Sequence, residues 1–321
     1  MNSKKINVFR NIEWSTCIEH CAVILIMSLA FYSILPVQTE KKISISKGIK
    51  ETDIIAHLNQ RGPYSLHAID RFILARFGKI KEGEVKFKQT TQNRIDFLYA
   101  LTQAKIPLLK ITLIPGETLE IFFKQVADKL DINESKIMDA YKNLAVYPEA
   151  SIVADTYFVP RKMNETKLMK FLLRGSERTY KKLATKYYGD YNTTEWKIIL
   201  TIASIIQKEA ASKAEMPLIS SVIYNRLEKN MRLQMDGTLN YGKYSHIKVT
   251  PERIRNDYST FNTYKHKGLP ESPIGSVSMH AIDAAINPKK TNYLYFMRNS
   301  QGVHDFTDTF KKHRQNIKKL K

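Results

Sequence analysis

The run from Cys21 to Val37, "CAVILIMSLAFYSILPV", is 17 residues long without a charge and constrains this chain more than any other feature. At about 1.5 Å per residue it nearly crosses a hydrocarbon core of about 30 Å, and Cys17 and Ile18 can extend it. A cleaved signal peptide is the rival reading. The residues that follow, "PVQTEKK", offer no small-x-small cleavage site, and no lipobox-like cysteine comes after the run. That favours a retained transmembrane helix over 16–37, with a cytoplasmic tail over 1–15. Charge does not fix the orientation: Lys4, Lys5 and Arg10 precede the run, while Lys41, Lys42, Lys47 and Lys50 follow it. Long domains translocate largely regardless of such flanks. A short tail inside and the bulk outside is the commonest arrangement, and the one expected.

Beyond the span, charge is the next constraint. Lys and Arg number 51 against 31 Asp and Glu, a formal +20. Such a balance suits nucleic acid, an anionic membrane surface or an acidic polymer. The lysines are scattered with no dense basic run, so compositional bias competes on equal terms. A nucleic-acid binder would also need its body in the cytoplasm, against the expected topology. Both cysteines, Cys17 and Cys21, lie at the membrane boundary, so disulfides neither brace nor locate the main body.

From about Ile43 to Thr185 short β-prone runs alternate with amphipathic helices. Three stretches share a strand–turn–helix texture: "ISISKGIKETDIIAHL", "VKFKQTTQNRIDFLYAL" and "ITLIPGETLEIFFKQV". They read equally as an internal repeat or as ordinary α+β units. Extended runs in "VYPEASIVADTYFVP" and a Lys-rich helix follow. A helix after Thr194 comes next, then another with Pro217 in its first turn and Ile219, Val222, Ile223 and Leu227 on one face. The next fifty residues are rich in turn formers and aromatics, as expected of loops lining a groove. A helix near 280–286, a strand at Tyr293–Met297 and a basic helix close the chain.

The helix after Thr194 carries the sharpest feature. Ile198, Ile202 and Ile205 recur at i, i+4 and i+7, and the next position in that series is Glu209. Lys197, Thr201, Ser204 and Lys208 form a separate polar stripe. A carboxyl on the apolar stripe is desolvated, and the negative helix end pushes the same way, so its pKa should rise. That suits a general acid. The competing reading is a helix that stops there with Glu209 in water. Glu215 and Glu271 read as solvated or loop carboxylates.

Other motifs carry less. "GTLNYGKY" nearly matches a phosphate loop, but Tyr244 stands where a Mg²⁺-holding hydroxyl belongs and no apolar strand leads in. The eight histidines show no metal-ligand spacing, so no metal and no cofactor is expected. No G-x-S-x-G elbow is present. "FNTYKHKGLPESPIG" mixes the aromatic, amide and turn residues that bind sugars, and a plain surface loop reads the same way.

Several stretches in order resemble the endolytic murein transglycosylase (MltG, YceG-like) family. They are "PEASIVADTY", "ASIIQKEA", "VIYNRL", "MRLQMDGTLNYG", "FNTYKHKGLPESPIG", "NYLYFM" and "GVHDFTDTFKKH", covering roughly Ile43 to His313. The resemblance implies an α+β chain with a single N-terminal transmembrane helix. A LysM-like α+β region over 43–185 and a lysozyme-like lytic transglycosylase catalytic domain over 186–321 would follow. The anchor would sit in the inner (cytoplasmic) membrane, with the catalytic domain in the periplasm or its extracytoplasmic equivalent.

By the same resemblance, Glu209 is the catalytic glutamate. Gln207-Lys208-Glu209 stands where relatives often have "EKE", which leaves one carboxylate. Gln234, Asp236 and Tyr241, with Asn262, Thr263, Tyr264, Leu269 and Pro270, are expected to line the substrate groove. The chain departs from the family at Ser276-Val277-Ser278, where Asn-Pro-Gly is usual, and at Ala154, where Pro is usual. The implied partners are peptidoglycan glycan strands, the membrane and cell-wall synthesis proteins, with no nucleic acid. The implied reaction is non-hydrolytic cleavage between N-acetylmuramic acid and N-acetylglucosamine, leaving 1,6-anhydro ends, in terminating or processing nascent strands. A non-catalytic, membrane-tethered peptidoglycan-binding scaffold is the alternative.

Overall fold

In the computed structural model, residues 14–46, 48–49, 51–161 and 163–320 are described. The expected cytoplasmic tail, but for its last two residues, and the flanking Lys47 and Lys50 lie outside the described residues. The chain divides into two compact units, residues 1–107 and 108–321. Helix and strand are mixed, and each sheet among the described residues is a two-stranded antiparallel pair.

The first unit opens with helix α1, Trp14–Ile34. Its stretch Thr16–Ile34 is long and apolar enough to cross a membrane, and Leu25, Met27 and Phe31 are exposed along it. The helix stops short of the expected Val37. The residue before a proline disfavours the α conformation, and Pro36 opens strand β1, Pro36–Gln38. Val37 is fully buried in the unit's core. Next come β2 (Lys42–Ile45), α2 (Glu51–Arg61), α3 (Ala68–Phe77), β3 (Gly83–Lys86), β4 (Thr91–Asn93) and α4 (Arg94–Thr102). β1 pairs with β4, and β2 with β3, where Ile43 faces Val85. Val37, Ile54, Leu74, Phe97 and Leu101 fill the core.

The second unit contains β5 (Leu108–Thr112), α5 (Leu119–Leu130), α6 (Glu134–Leu144), β6 (Thr156–Pro160), α7 (Glu165–Tyr188) and α8 (Thr193–Glu209). Then follow α9 (Met216–Glu228), α10 (Pro251–Asn256), α11 (Met279–Ile286), β7 (Tyr295–Arg298), β8 (His304–Thr307) and α12 (Phe310–Leu320). The three strand–turn–helix stretches take that form, with β4 added before α4. The extended run expected around 146–160 is strand only from Thr156.

Two apolar cores hold this unit. One packs Phe122 and Phe123 of α5, Tyr141 of α6 and Leu168 and Leu172 of α7 against the β5–β6 pair. The other surrounds α8 with Tyr180 of α7, Ile219 and Ile223 of α9 and Ala281 and Ile282 of α11. Helix α7 serves both cores, so the boundary expected at 185–186 falls inside a continuous helix.

Helix α8 is not the two-faced helix its pattern suggests. Thr201 and Ser204 of the supposed polar stripe are buried, while Ile198 of the apolar stripe is 48% exposed. The hydroxyls are satisfied by the helix itself: Thr201 donates to the Lys197 carbonyl at 2.8 Å and Ser204 to that of Thr201 at 2.7 Å. Small, internally bonded hydroxyls pack like apolar groups, so α8 runs through the core with nearly all its sides covered.

Candidate active site

Helix α8 is capped by Asn192, whose side-chain oxygen accepts from the Thr194 and Glu195 amides at 2.9 and 3.3 Å. Its last residue is Glu209, because Ala210 turns to extended backbone. Sixteen residues of mostly buried helix thus deliver one carboxyl to the helix C-terminus, the negative dipole end. Glu209 is half-buried. Its Oε1 accepts the Gly237 backbone N–H at 2.7 Å. Burial pushes the carboxyl up to about 7, and nearby Asp236 adds to the rise. The Gly237 bond and the charge of Arg226 pull the other way without cancelling it.

Only glycine permits this approach. A Cβ on residue 237 would stand 2.8 Å from Glu209 Oε1 and 2.7 Å from Lys208 Cβ. The loop carrying Gly237 is fixed by alternation. Leu233, Met235 and Thr238 point into the core, while Gln234 and Asp236 are exposed. Gln234 has φ 48°, in the left-handed region, and its N–H is held by the Thr263 carbonyl at 3.1 Å. Thr263 Oγ1 accepts from the Met235 N–H at 3.1 Å and bonds the Thr238 hydroxyl at 3.0 Å.

The residues expected to line a groove divide into two groups. Gln234, Asp236 and Tyr264 reach the surface, and the Tyr264 hydroxyl donates to Asp236 Oδ1 at 2.6 Å. Burial and Asp236 together raise the Tyr264 pKa, so it stays a donor. Asn262, Thr263 and Pro270 are buried. Asn262 spends its amide on the Ile254 and Asp257 carbonyls, at 2.8 and 2.7 Å, and accepts from the Tyr264 N–H at 3.1 Å. Tyr241 stacks on Phe261 at 4.3 Å and donates to Asp257 at 3.2 Å. Leu269 packs against the α8 core. These five hold the loops whose tips carry the other three.

The model of the YceG-like family matches residues 43–319. The chain belongs to that family. Over 116 residues it is 45% identical to an endolytic murein transglycosylase of Bacillus subtilis (strain 168), covering 36% of this chain and 32% of that protein. Over 213 residues it is 28% identical to an endolytic murein transglycosylase of Streptococcus pneumoniae serotype 2 (strain D39 / NCTC 7466), covering 62% and 39%. The matched regions thus span only about a third of the curated relatives' length. A crystal structure of a YceG-like protein from Listeria monocytogenes superposes with a TM-score of 0.57 at 23% identity, over 86% of this chain and 98% of that one. At that identity the likeness speaks for the fold.

Within this YceG-like chain, sequence reasoning passed over two groups near α8 and misplaced a third. Arg226 of "VIYNRL" is buried, its Nε donating to the Leu294 carbonyl at 2.6 Å and its Nη1 to that of Leu233. Its signal was legible: Arg226 follows Ile219, Val222 and Ile223 at i+7, i+4 and i+3, a charge on an apolar stripe like Glu209. The second group is Lys208, whose Nζ donates to Ser245 at 2.8 Å, with Glu117 and Glu149 nearby in charge. Glu117 pairs with His246 at 2.8 Å and accepts from the Thr118 N–H. Glu149 receives the Leu119 N–H on both oxygens at 3.2 Å, and burial pushes it up to about 8.

The third group corrects an expectation. Glu215 is no solvated carboxylate: it is buried and accepts from the Ala211 N–H, the His304 N–H and the His304 ring. It joins the turn after Glu209 to β8. The departure at Ser276 also finds its geometry. Ser276 exchanges backbone bonds with Gly116 and Glu117, at 2.9 and 2.8 Å, and its hydroxyl donates to the Ile114 carbonyl. Among the described residues no cluster of three or more His, Cys, Asp or Glu is arranged to hold a metal ion.

Proposed function

We propose that this protein is a membrane-anchored endolytic peptidoglycan transglycosylase, cutting the bond between N-acetylmuramic acid and N-acetylglucosamine. The observation that carries the proposal is the carboxyl of Glu209, alone at the end of α8, held by the Gly237 amide and pushed up to about 7. Near neutral pH much of it is protonated, as a general acid requires. Neutral Glu209 protonates the bridging oxygen and the glycosidic bond breaks. The resulting carboxylate takes the proton of the muramic 6-hydroxyl, which attacks C1 and closes a 1,6-anhydro ring. The proton count balances, and Glu209 returns to its neutral form. The nucleophile is intramolecular, so a second carboxylate to activate water is not needed. Asp236 and Tyr264, joined by their 2.6 Å bond, then orient substrate and stabilise charge.

The finer architecture belongs to the same reading. Helix α1 anchors the chain in the cytoplasmic membrane, and residues 43–185 form a LysM-like region that touches glycan. Residues 186–321 form a lysozyme-like catalytic domain outside the cytoplasm, near the cell-wall synthesis proteins whose nascent strands it ends. Full-length protein in detergent, incubated with purified peptidoglycan, tests the reaction by the mass of the fragments. Ends one water lighter than hydrolytic ends are expected. Ordinary reducing ends would make the protein a hydrolase, and no fragments would make it a binding scaffold.

A further inference from the structure

Helix α1 joins the first unit without slack. It ends at Ile34, the Leu35 carbonyl already accepts the Arg94 N–H at 3.0 Å, and β1 starts at Pro36. The last turn of α1 is bonded into the unit as well. The Tyr32 hydroxyl donates to Asp70 at 3.0 Å and accepts from Arg94 Nη1 at 3.0 Å, while the Arg94 guanidinium lies 4.5 Å above the Tyr32 ring. Asp70 and Arg94 form a buried ion pair at 2.7 Å. Helix α3 and the start of α4 are therefore fixed beside the final turn of α1.

If α1 spans a bilayer, a reading on which this inference rests, that final turn lies at the hydrocarbon boundary. What α3 and α4 expose there is unusual for a wet surface. Phe72, two residues from Asp70, is 78% exposed, and Ile69 and Ile95 are also uncovered. The one acid of α3, Asp70, is consumed by Arg94, which leaves Arg71 and Arg76 as its exposed charges. Scattered single hydrophobics need no explanation on a soluble surface. Here they lie on the two segments bonded to the end of the span, with Arg71 and Arg76 beside those of α3 and the acid Asp96 beside Ile95. Apolar side chains at headgroup depth flanked by Arg are the pattern of interfacial binding, and the Arg charges are drawn to anionic lipid.

We propose that Ile69, Phe72 and Ile95 dock into the membrane interface beside α1, with Arg71 and Arg76 on lipid phosphates. The span is then continued by a lipid-facing patch of the folded unit, which sits on the bilayer instead of hanging from it.

The test uses the full chain in vesicles of phosphatidylcholine and phosphatidylglycerol, with bromine on the acyl chains near the glycerol end. Phe72→Trp supplies the probe. Tyr258→Trp, at a residue of the second unit that is equally 78% exposed, supplies the control, each read as a difference from the parent protein. The added Phe72→Trp emission should be blue-shifted and lose about half its intensity or more to bromine. The Tyr258→Trp emission should remain water-like. Charge reversal at both Arg71 and Arg76 should reduce the quenching. Water-like, unquenched emission from Phe72→Trp, in a protein that resists alkaline extraction from the vesicles, would overturn the docking and leave the span intact. Release of the chain by alkali would overturn both.

Discussion

On the proposed reading, the chemistry at Glu209 turns on a single proton. Glu209→Gln should abolish glycan cleavage while the protein keeps its fold, since the amide can still accept from Gly237. Asp236→Asn should lose about 30- to 1000-fold in rate, the scale of one strong positioning or electrostatic contact, and still yield 1,6-anhydro ends. Equal loss in the two variants, both folded by circular dichroism, would defeat the one-carboxylate mechanism. The same group links stability to pH. Its folded pKa of about 7 lies above the ordinary 4.5, so the folded state binds the proton more tightly. Stability should be full below about pH 4.5 and fall as pH rises through about 7, by roughly 3 kcal/mol at most. Glu209→Gln escapes that loss, so its unfolding free energy should exceed the parent's at pH 8 and match it at pH 4. Gly237→Ala probes the other partner. Its Cβ would displace the carboxyl, and a misplacement of about 1 Å can cost about 100-fold, so activity should fall by that order without unfolding. Sequence spacing picked out Glu209 because a charge on an apolar stripe is conspicuous. It could not pick out Gly237, whose role is to be absent at a point 28 residues away.

Among elements, legibility followed local pattern and failed where long-range packing took over. Helix α9 matched its expected face, with Ile219, Val222 and Ile223 fully buried, although Ser220 and Ser221 between them are buried as well. Helix α8 did not, because α7, α9, α11 and the 233–238 loop cover it from several sides, and hydropathy spacing counts Thr and Ser as polar wherever they lie. The same blindness hid Glu215, which a sequence places beside lysines and a helix start but the fold places against His304. Glu215→Ala should strip three hydrogen bonds from the link between the turn after Glu209 and β8. A loss of about 3 kcal/mol in urea unfolding is expected, the scale for breaking a buried pair. A change below about 0.5 kcal/mol would restore the solvated reading. The groove residues teach a related lesson. Asn262 and Gln234 are both amides in recognisable motifs, and only burial tells that one braces a loop while the other faces solvent.

For the molecule as a whole, the charge of +20 is the feature open to a bulk measurement. Peptide stems of peptidoglycan carry carboxylates, and the screening length shrinks from about 10 Å at 0.1 M salt to about 3 Å at 1 M. Sedimentation of the protein with murein sacculi should therefore weaken several-fold across that range. Unchanged binding would reduce the charge to compositional bias. The α+β texture, the apolar helix and the order of helices were legible from sequence. The division at residue 107 was not, because short strands and helices alternate in the same way on both sides of it.

The bonds between the Ile114–Glu117 turn and Ser276 bear on when the protein becomes active. The Ser276 hydroxyl reaches a carbonyl 162 residues earlier in the chain, and the Ile274 N–H closes on Ser204 at 3.1 Å. Chains are made from the N-terminus, so Glu209 is synthesised before the Gly237 that holds it, and Gly237 before the segment that seals the core around α8. Each step waits on a residue not yet added. On the proposed reading, an unfinished chain carries the acid without its setting, and a wall-cutting activity is withheld until synthesis is nearly complete.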